Sequence, residues 1–146
     1  MKRSSVAIAV LVSACASTPE RAPESGALTN QILAGRWAPN KPEAKCVRFV
    51  EFRPDGSMSL IDGAALIDAT YRLSGSATPK GMYRLEAVVT RESVGKDCEG
   101  NTSEEPIPPG LAFDMGYIWM DASKNVFLMC EQDGYAYCQE AMHRVR

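Results

Sequence analysis

The sequence predicts an all-β domain: a small antiparallel meander barrel or sandwich of about seven or eight strands, disulfide-pinned, with one short N-terminal helical turn. Three observations carry that expectation. Apolar residues recur at every second position, as in Ile67-Asp68-Ala69-Thr70-Tyr71-Arg72-Leu73 and Tyr83-Arg84-Leu85-Glu86-Ala87-Val88-Val89-Thr90. That period gives a strand one buried and one wet face. Turn residues separate the runs at short intervals, and four of the five cysteines fall inside or beside them.

Taken in order, Thr29–Leu33 reads as a short helical turn in which Thr29 or Asn30 caps the first amides. Strands follow at Cys46–Phe52 and Met58–Ile61, joined by Arg53-Pro54-Asp55-Gly56-Ser57. Proline suits an early turn position, and the Asp-Gly pair tolerates positive φ. After the strand ending at Leu73, Ser74-Gly75-Ser76 to Pro79-Lys80-Gly81 makes a second turn. Asp121-Ala122-Ser123-Lys124-Asn125 joins Tyr117–Met120 to Val126–Cys130, and Gln132-Asp133-Gly134-Tyr135 leads into the last strand. Closing such a meander into a barrel removes its exposed edges.

The N-terminus has a different character. Met1-Lys2-Arg3 is basic, Val6-Ala7-Ile8-Ala9-Val10-Leu11-Val12 is apolar, and small residues lead into Cys15. This is the layout of a secretory signal. The apolar run is far shorter than the roughly 18–20 residues that span hydrocarbon. Val12-Ser13-Ala14-Cys15 resembles the lipobox of bacterial lipoproteins. The resemblance implies that Cys15 is lipidated and becomes the mature N-terminus, and several acyl chains would give stable membrane anchoring. Ordinary secretion with cleavage after Ala16 is the alternative, since Ala14-Cys15-Ala16 is also a small-x-small site. Ala16 stands where lipoproteins retained at the inner membrane carry aspartate, so the resemblance favours the periplasmic face of the outer membrane. The expected division is residues 1–14 as signal peptide, 15–28 as lipidated cysteine and flexible tether, and 29–146 as a single β-domain.

Gly35-Arg36-Trp37 resembles the opening of lipocalins and related calycin barrels. Those barrels begin with a helical turn and a Gly-x-Trp strand whose Trp packs near a basic residue of the final strand. Arg144 or Arg146 could fill that place. The resemblance covers three residues and the general topology. The chain is short for a lipocalin and lacks the family's further motifs. Trp37 also reads as an ordinary core residue.

Composition bounds the partners. Removing residues 1–14 takes away Lys2 and Arg3 and moves the formal net charge from −2 to −4. The remaining Lys and Arg are dispersed, whereas nucleic acid needs a clustered basic face, so no nucleic acid partner is expected. Cysteines stand at 15, 46, 98, 130 and 138. Setting Cys15 apart leaves Cys46, Cys98, Cys130 and Cys138 for two disulfides in an oxidising compartment. A hairpin with a three-residue loop about Gly134 would put Cys130 opposite Cys138 and leave Cys46 for Cys98. A two-residue turn would spoil that register, so all three connectivities stay open. A metal site at Cys130, Cys138 and His143 lacks the tight Cys-x-x-Cys pair usual in zinc sites, and neither metal nor cofactor is expected.

Chemistry is sparse. His143 is the one histidine, and no serine or carboxylate sits in a recognisable catalytic motif, so the chain reads as non-enzymatic. The connection from about Glu92 to Phe113 is long, and structureless loops of that length are often functional or disordered. Its acids Asp97, Glu99, Glu104 and Glu105 form a candidate binding loop, with a disulfide at Cys98 to hold its base. The loop could also be a pinned crossover at a barrel end. Three readings follow: an envelope lipoprotein whose β-domain binds a ligand or protein, an inhibitor or immunity protein against a cell-wall-degrading enzyme or secreted toxin, and a lipocalin-like carrier of a small apolar molecule.

Overall fold

A computed structural model describes residues 27–39 and 45–145. The expected signal segment, Cys15, the expected tether up to residue 26 and Arg146 lie outside the described residues. A short helix α1 (Asn30–Leu33) is followed by eight strands: β1 (Gly35–Pro39), β2 (Arg48–Phe52), β3 (Ser57–Asp62), β4 (Ala65–Leu73), β5 (Tyr83–Ser93), β6 (Ala112–Met120), β7 (Val126–Cys130) and β8 (Cys138–Val145). Each strand pairs antiparallel with the next, and β8 returns to β1. The fold is a closed barrel rather than a sandwich. No helix among the described residues is long and apolar enough to cross a membrane.

The register shows which side chains face inward. Trp37 pairs with Val50 and Arg144, Val50 with Leu60, and Leu60 with Ile67. These residues share one face, as do their neighbours two positions along. The sealed layer of the interior holds Trp37, Phe52, Met58, Leu85, Ile118 and Phe127, each at most 1 % exposed. Ring contacts bind it together, with Trp37 against Phe127 at 4.8 Å and Phe52 against Tyr71 at 5.0 Å between centroids. Such edge-to-face pairs add to the gain from burial.

Helix α1 closes one end of the barrel. Thr29 caps it by accepting from the Ile32 amide at 3.3 Å. Leu33 and Leu28 both pack into the core. Leu28, the last residue given to the tether, thus belongs to the folded domain, because its side chain gains by leaving water. The Trp37 Nε1–H donates to the Leu33 carbonyl at 2.8 Å. Arg144 stacks its guanidinium 4.2 Å from the Trp37 ring and donates to the carbonyls of Ala34 at 2.5 Å and Ile32 at 2.8 Å. Gly35 permits this clasp: a Cβ there would lie 2.6 Å from an Arg144 nitrogen.

Two irregularities shape β5 and β6. Register shifts fall at Asp68/Ala69 and at Leu85/Glu86. Gly116 sits at the second with φ +85°, and a Cβ on it would meet the Cys130 carbonyl oxygen at 2.3 Å. Bulges of this kind bend the strand and increase its twist, which helps a sheet close.

On the outer wall, Asp68 accepts from the Ser59 hydroxyl at 2.6 Å and forms an ion pair with Arg91, also at 2.6 Å. The Ser59 hydroxyl, assisted by Arg91 against a burial penalty, holds the Asp68 carboxyl below the usual carboxylate range. A depressed folded pKa contributes stability above the unfolded value near pH 4, lost as pH falls through the folded pKa. Asp68→Asn is therefore expected to cost about 1 kcal/mol at neutral pH. The gap from wild type should close below about pH 4 in urea melts. A gap that persists at acid pH would refute the assignment.

Candidate ligand-binding mouth of the barrel

In an antiparallel meander, alternate connections gather at opposite ends. The connections β2–β3, β4–β5 and β6–β7 lie at the end closed by α1, and β1–β2, β3–β4 and β5–β6 lie at the other. The β7–β8 connection leaves that second end but folds back along the outer wall, where Asp133 meets Thr78 and Lys80 of the β4–β5 connection and Tyr135 packs on Trp119 at 5.6 Å between centroids. Toward this second end the inward positions are Leu60, Ile67, Phe113, Met129 and Met142. All five retain part of their solvent exposure. Four of them, with Met115, pack directly onto the buried core. An inward side chain in a closed barrel keeps contact with water only where the interior is not filled to its rim. Eight-stranded barrels are wide enough either to be filled or to hold one small ligand. Inward Leu73 and Met120 at the α1 end are partly exposed as well, but there α1 packs Leu28 and Leu33 onto the core, whereas no described helix covers the inward apolar residues at the other end, which form the candidate mouth. Methionines suit such a surface, being unbranched, polarizable and able to adapt to irregular shapes.

The rim is charged on one side, and the β5–β6 connection crosses it there. Arg48, Asp62 and Glu92 hold inward positions at the ends of β2, β3 and β5. Arg48 pairs with Glu99 at 2.6 Å and Asp62 at 3.0 Å, hydrogen bonds that raise its pKa above the usual arginine value. The Asp62 carboxylate accepts from the Cys98 amide at 2.9 Å, and the Glu92 carboxylate accepts from the Ile107 amide. The Cys46–Cys98 disulfide, with Cα atoms 5.6 Å apart, joins the segment to the β1–β2 connection. Backbone bonds from Ala64 to Lys96 and from Gly110 to Val89, both 2.8 Å, complete the strap.

This arrangement divides the four candidate acids. Glu99 is tied to Arg48, and the Asp97 carboxylate accepts from the Asn101 amide at 2.7 Å, closing the strap's own turn. Glu104 and Glu105 are exposed. The connection spans residues 94–111, close to the expected bounds, and within it Lys96 bridges to Thr102.

Cys130 lies opposite Cys138 and is bonded to it. Their connection is not a three-residue turn. It runs from residue 131 to 137 and contains a 3₁₀ turn at Tyr135–Tyr137. Asp133 anchors it, accepting from the Thr78 hydroxyl at 2.8 Å and, through its carbonyl, from Lys80 Nζ at 2.6 Å. The bonded sulfurs are no longer thiolates, and His143 faces outward between Ala38 and Val126, which separates the three residues of the metal reading. Cys46, Asp62 and Cys98 also converge, but there too the sulfurs are bonded to one another.

No family model, curated protein or solved structure matches this chain. Its function is argued from the barrel itself. Two depressions of about 320 and 280 Å³ lie on the outer wall, beside Arg72 and Arg84 and beside Val88 and Asp114. Their charges are spent on one another, Arg72 with Glu86 at 3.0 Å and Arg84 with Asp114 at 2.7 Å. The mouth end differs. Val47, Val94 and Leu111, all 46 % exposed or more, belong to its connections. Exposed apolar side chains gathered at one place mark interaction sites. The sequence did not single out Phe113, Met129 or Met142 as site residues. Alternation assigns them an inward face, but only the closed register shows that they line the open end.

Proposed function

We propose that this chain is a lipid-anchored protein of the bacterial envelope whose barrel binds a small ligand with an apolar body in its mouth, without catalysing a reaction. One observation carries the binding reading: the inward-facing Leu60, Ile67, Phe113, Met129 and Met142 keep solvent access above a sealed core. The clasp of Arg144 on Trp37, over a glycine two residues before it, supports the likeness to calycin barrels. Anchoring rests on Val12-Ser13-Ala14-Cys15, and placement at the outer membrane rests on Ala16. The one histidine, His143, lies on the outer wall away from the mouth, which favours binding over catalysis.

The alternative, an inhibitor or immunity protein that inserts the strap into a basic cleft, draws on the exposed Glu104 and Glu105. It is the weaker reading, because Asp97 and Glu99 spend their charge inside the domain. Titration with a neutral apolar fluorophore such as Nile red tests the mouth. Saturable binding to the wild type is expected, and Met129→Gln with Met142→Gln should weaken it about tenfold, the loss of roughly 1.4 kcal/mol of apolar contact. Binding that is absent, or indifferent to both substitutions, would sink the mouth. Palmitate labelling addresses the anchor: label and membrane fractionation should both vanish in Cys15→Ala.

A further inference from the structure

The mouth carries a charge as well as an apolar surface. Among the described residues, the connections at this end hold Asp97, Glu99, Glu104 and Glu105, with Glu131 where β7 ends, against only Lys45 and Lys96. The rim residues Arg48, Asp62 and Glu92 add one further net negative charge. At the α1 end the connections hold Arg53, Lys80 and Lys124 against Asp55 and Asp121, a slight excess of positive charge. The molecule is therefore polarised along the barrel axis, with its acidic pole coinciding with its apolar opening. A low-dielectric wall lined by one sign of charge focuses potential and raises the local concentration of the opposite ion.

Resting on the reading of the mouth as a binding site, we infer that its ligand is a cationic amphiphile, with an alkyl or aromatic body joined to an ammonium or guanidinium head. The two parts of such a molecule meet two different surfaces. The body lies against Leu60, Phe113, Met129 and Met142, inward residues with part of their area still in water. The head stays at the rim, where Glu104 and Glu105 are exposed on the strap and Glu131 is exposed at the start of the β7–β8 connection. A carboxylate head, as in a fatty acid, would meet repulsion here. The one rim arginine, Arg48, is already engaged by Glu99 and Asp62.

Three probes that share one chain and differ only in the head decide the matter: octyltrimethylammonium, octan-1-ol and octanoate, titrated calorimetrically into the mature chain carrying Cys15→Ala. That substitution keeps an acyl chain of the protein's own from competing for the mouth. The ammonium probe should bind about tenfold more tightly than octanoate, with octanol between them. The preference should shrink towards unity in about 0.5 M salt, where the screening length is only about 4 Å. It should also fall in the double variant Glu104→Gln, Glu105→Gln, whose substituted side chains face water and whose melting temperature should be unchanged. Equal binding of all three probes would overturn the cationic class while leaving the apolar mouth in place, and so would a preference for octanoate. Failure of every probe to bind would remove the mouth itself as a site, and the cationic ligand with it.

Discussion

Replacing Arg144 by alanine should cost about 3 kcal/mol of folding stability, a fall in melting temperature of roughly 10 °C for a domain of this size. Its guanidinium donates to two carbonyls of the α1 region, those of Ile32 and Ala34, and covers the face of Trp37. Hydrogen bonds from a charged donor contribute about 1.5–3 kcal/mol when part-buried, and a cation over an indole adds roughly 0.5–2 kcal/mol. Burial lowers the Arg144 pKa, in keeping with a cation whose bonds run to neutral carbonyls. Lysine should recover little, since an ammonium cannot reproduce the planar fork that serves two acceptors and stacks on a ring. Trp37→Ala should cost about 4 kcal/mol, because it empties a fully buried site and also removes the bond to Leu33. Denaturant melts should show lower midpoints with little change in slope. A loss under about 1 kcal/mol for Arg144→Ala would mean that the clasp does not hold the end of the barrel.

Removal of the two disulfides should have unequal effects. Cys46 and Cys98 are separated by 52 residues, Cys130 and Cys138 by 8. If a cross-link acts by restricting the unfolded chain, the first contributes about 4 kcal/mol and the second about 2.5 kcal/mol. Paired serine substitutions, Cys46→Ser with Cys98→Ser against Cys130→Ser with Cys138→Ser, measure the difference by equilibrium unfolding. The first pair should also loosen the strap, where Glu99 and the Cys98 amide meet Arg48 and Asp62. Faster amide exchange at residues 95–102 would report it. Equal losses from the two pairs would reject the chain-entropy account for this protein.

Much of the fold was legible in the residues. Strict alternation from Ile67 to Leu73 and from Tyr83 to Val89 named the buried faces of β4 and β5 correctly, because a closed barrel needs one face of every strand inside. Arg53-Pro54-Asp55-Gly56 makes the expected turn, with the Gly56 amide bonded to the Arg53 carbonyl and the Asp55 carboxylate accepting from the Ser57 amide. The start of β6 was harder to read. Phe113-Asp114-Met115-Gly116 contains the bulge, so its apolar residues fall out of step and the alternation breaks where the strand continues. The β7–β8 connection was read as too short, because its anchors, Thr78 and Lys80, lie more than fifty residues away. The candidate site was legible only in part. Sequence found the acids of the strap, but whether an acid is spent or exposed depends on partners such as Arg48, which no local pattern reveals. The mouth lay hidden for a similar reason: Leu60 and Met58 alternate alike in β3, yet only Met58 is sealed.

Helix α1 brings the chain into the barrel at the end opposite the mouth. A pull on the N-terminal side of residue 27 would therefore reach the body through Trp37 and its clasp, then along the axis of β1. That strand is bonded on both sides, to β2 and to β8, and antiparallel ladder bonds stand perpendicular to the strands. Tension along β1 must shear both ladders together and cannot peel one pair at a time. The seam where the first and last strands meet is thus the part of the barrel that takes a load entering from the N-terminal side, at the end away from the candidate mouth.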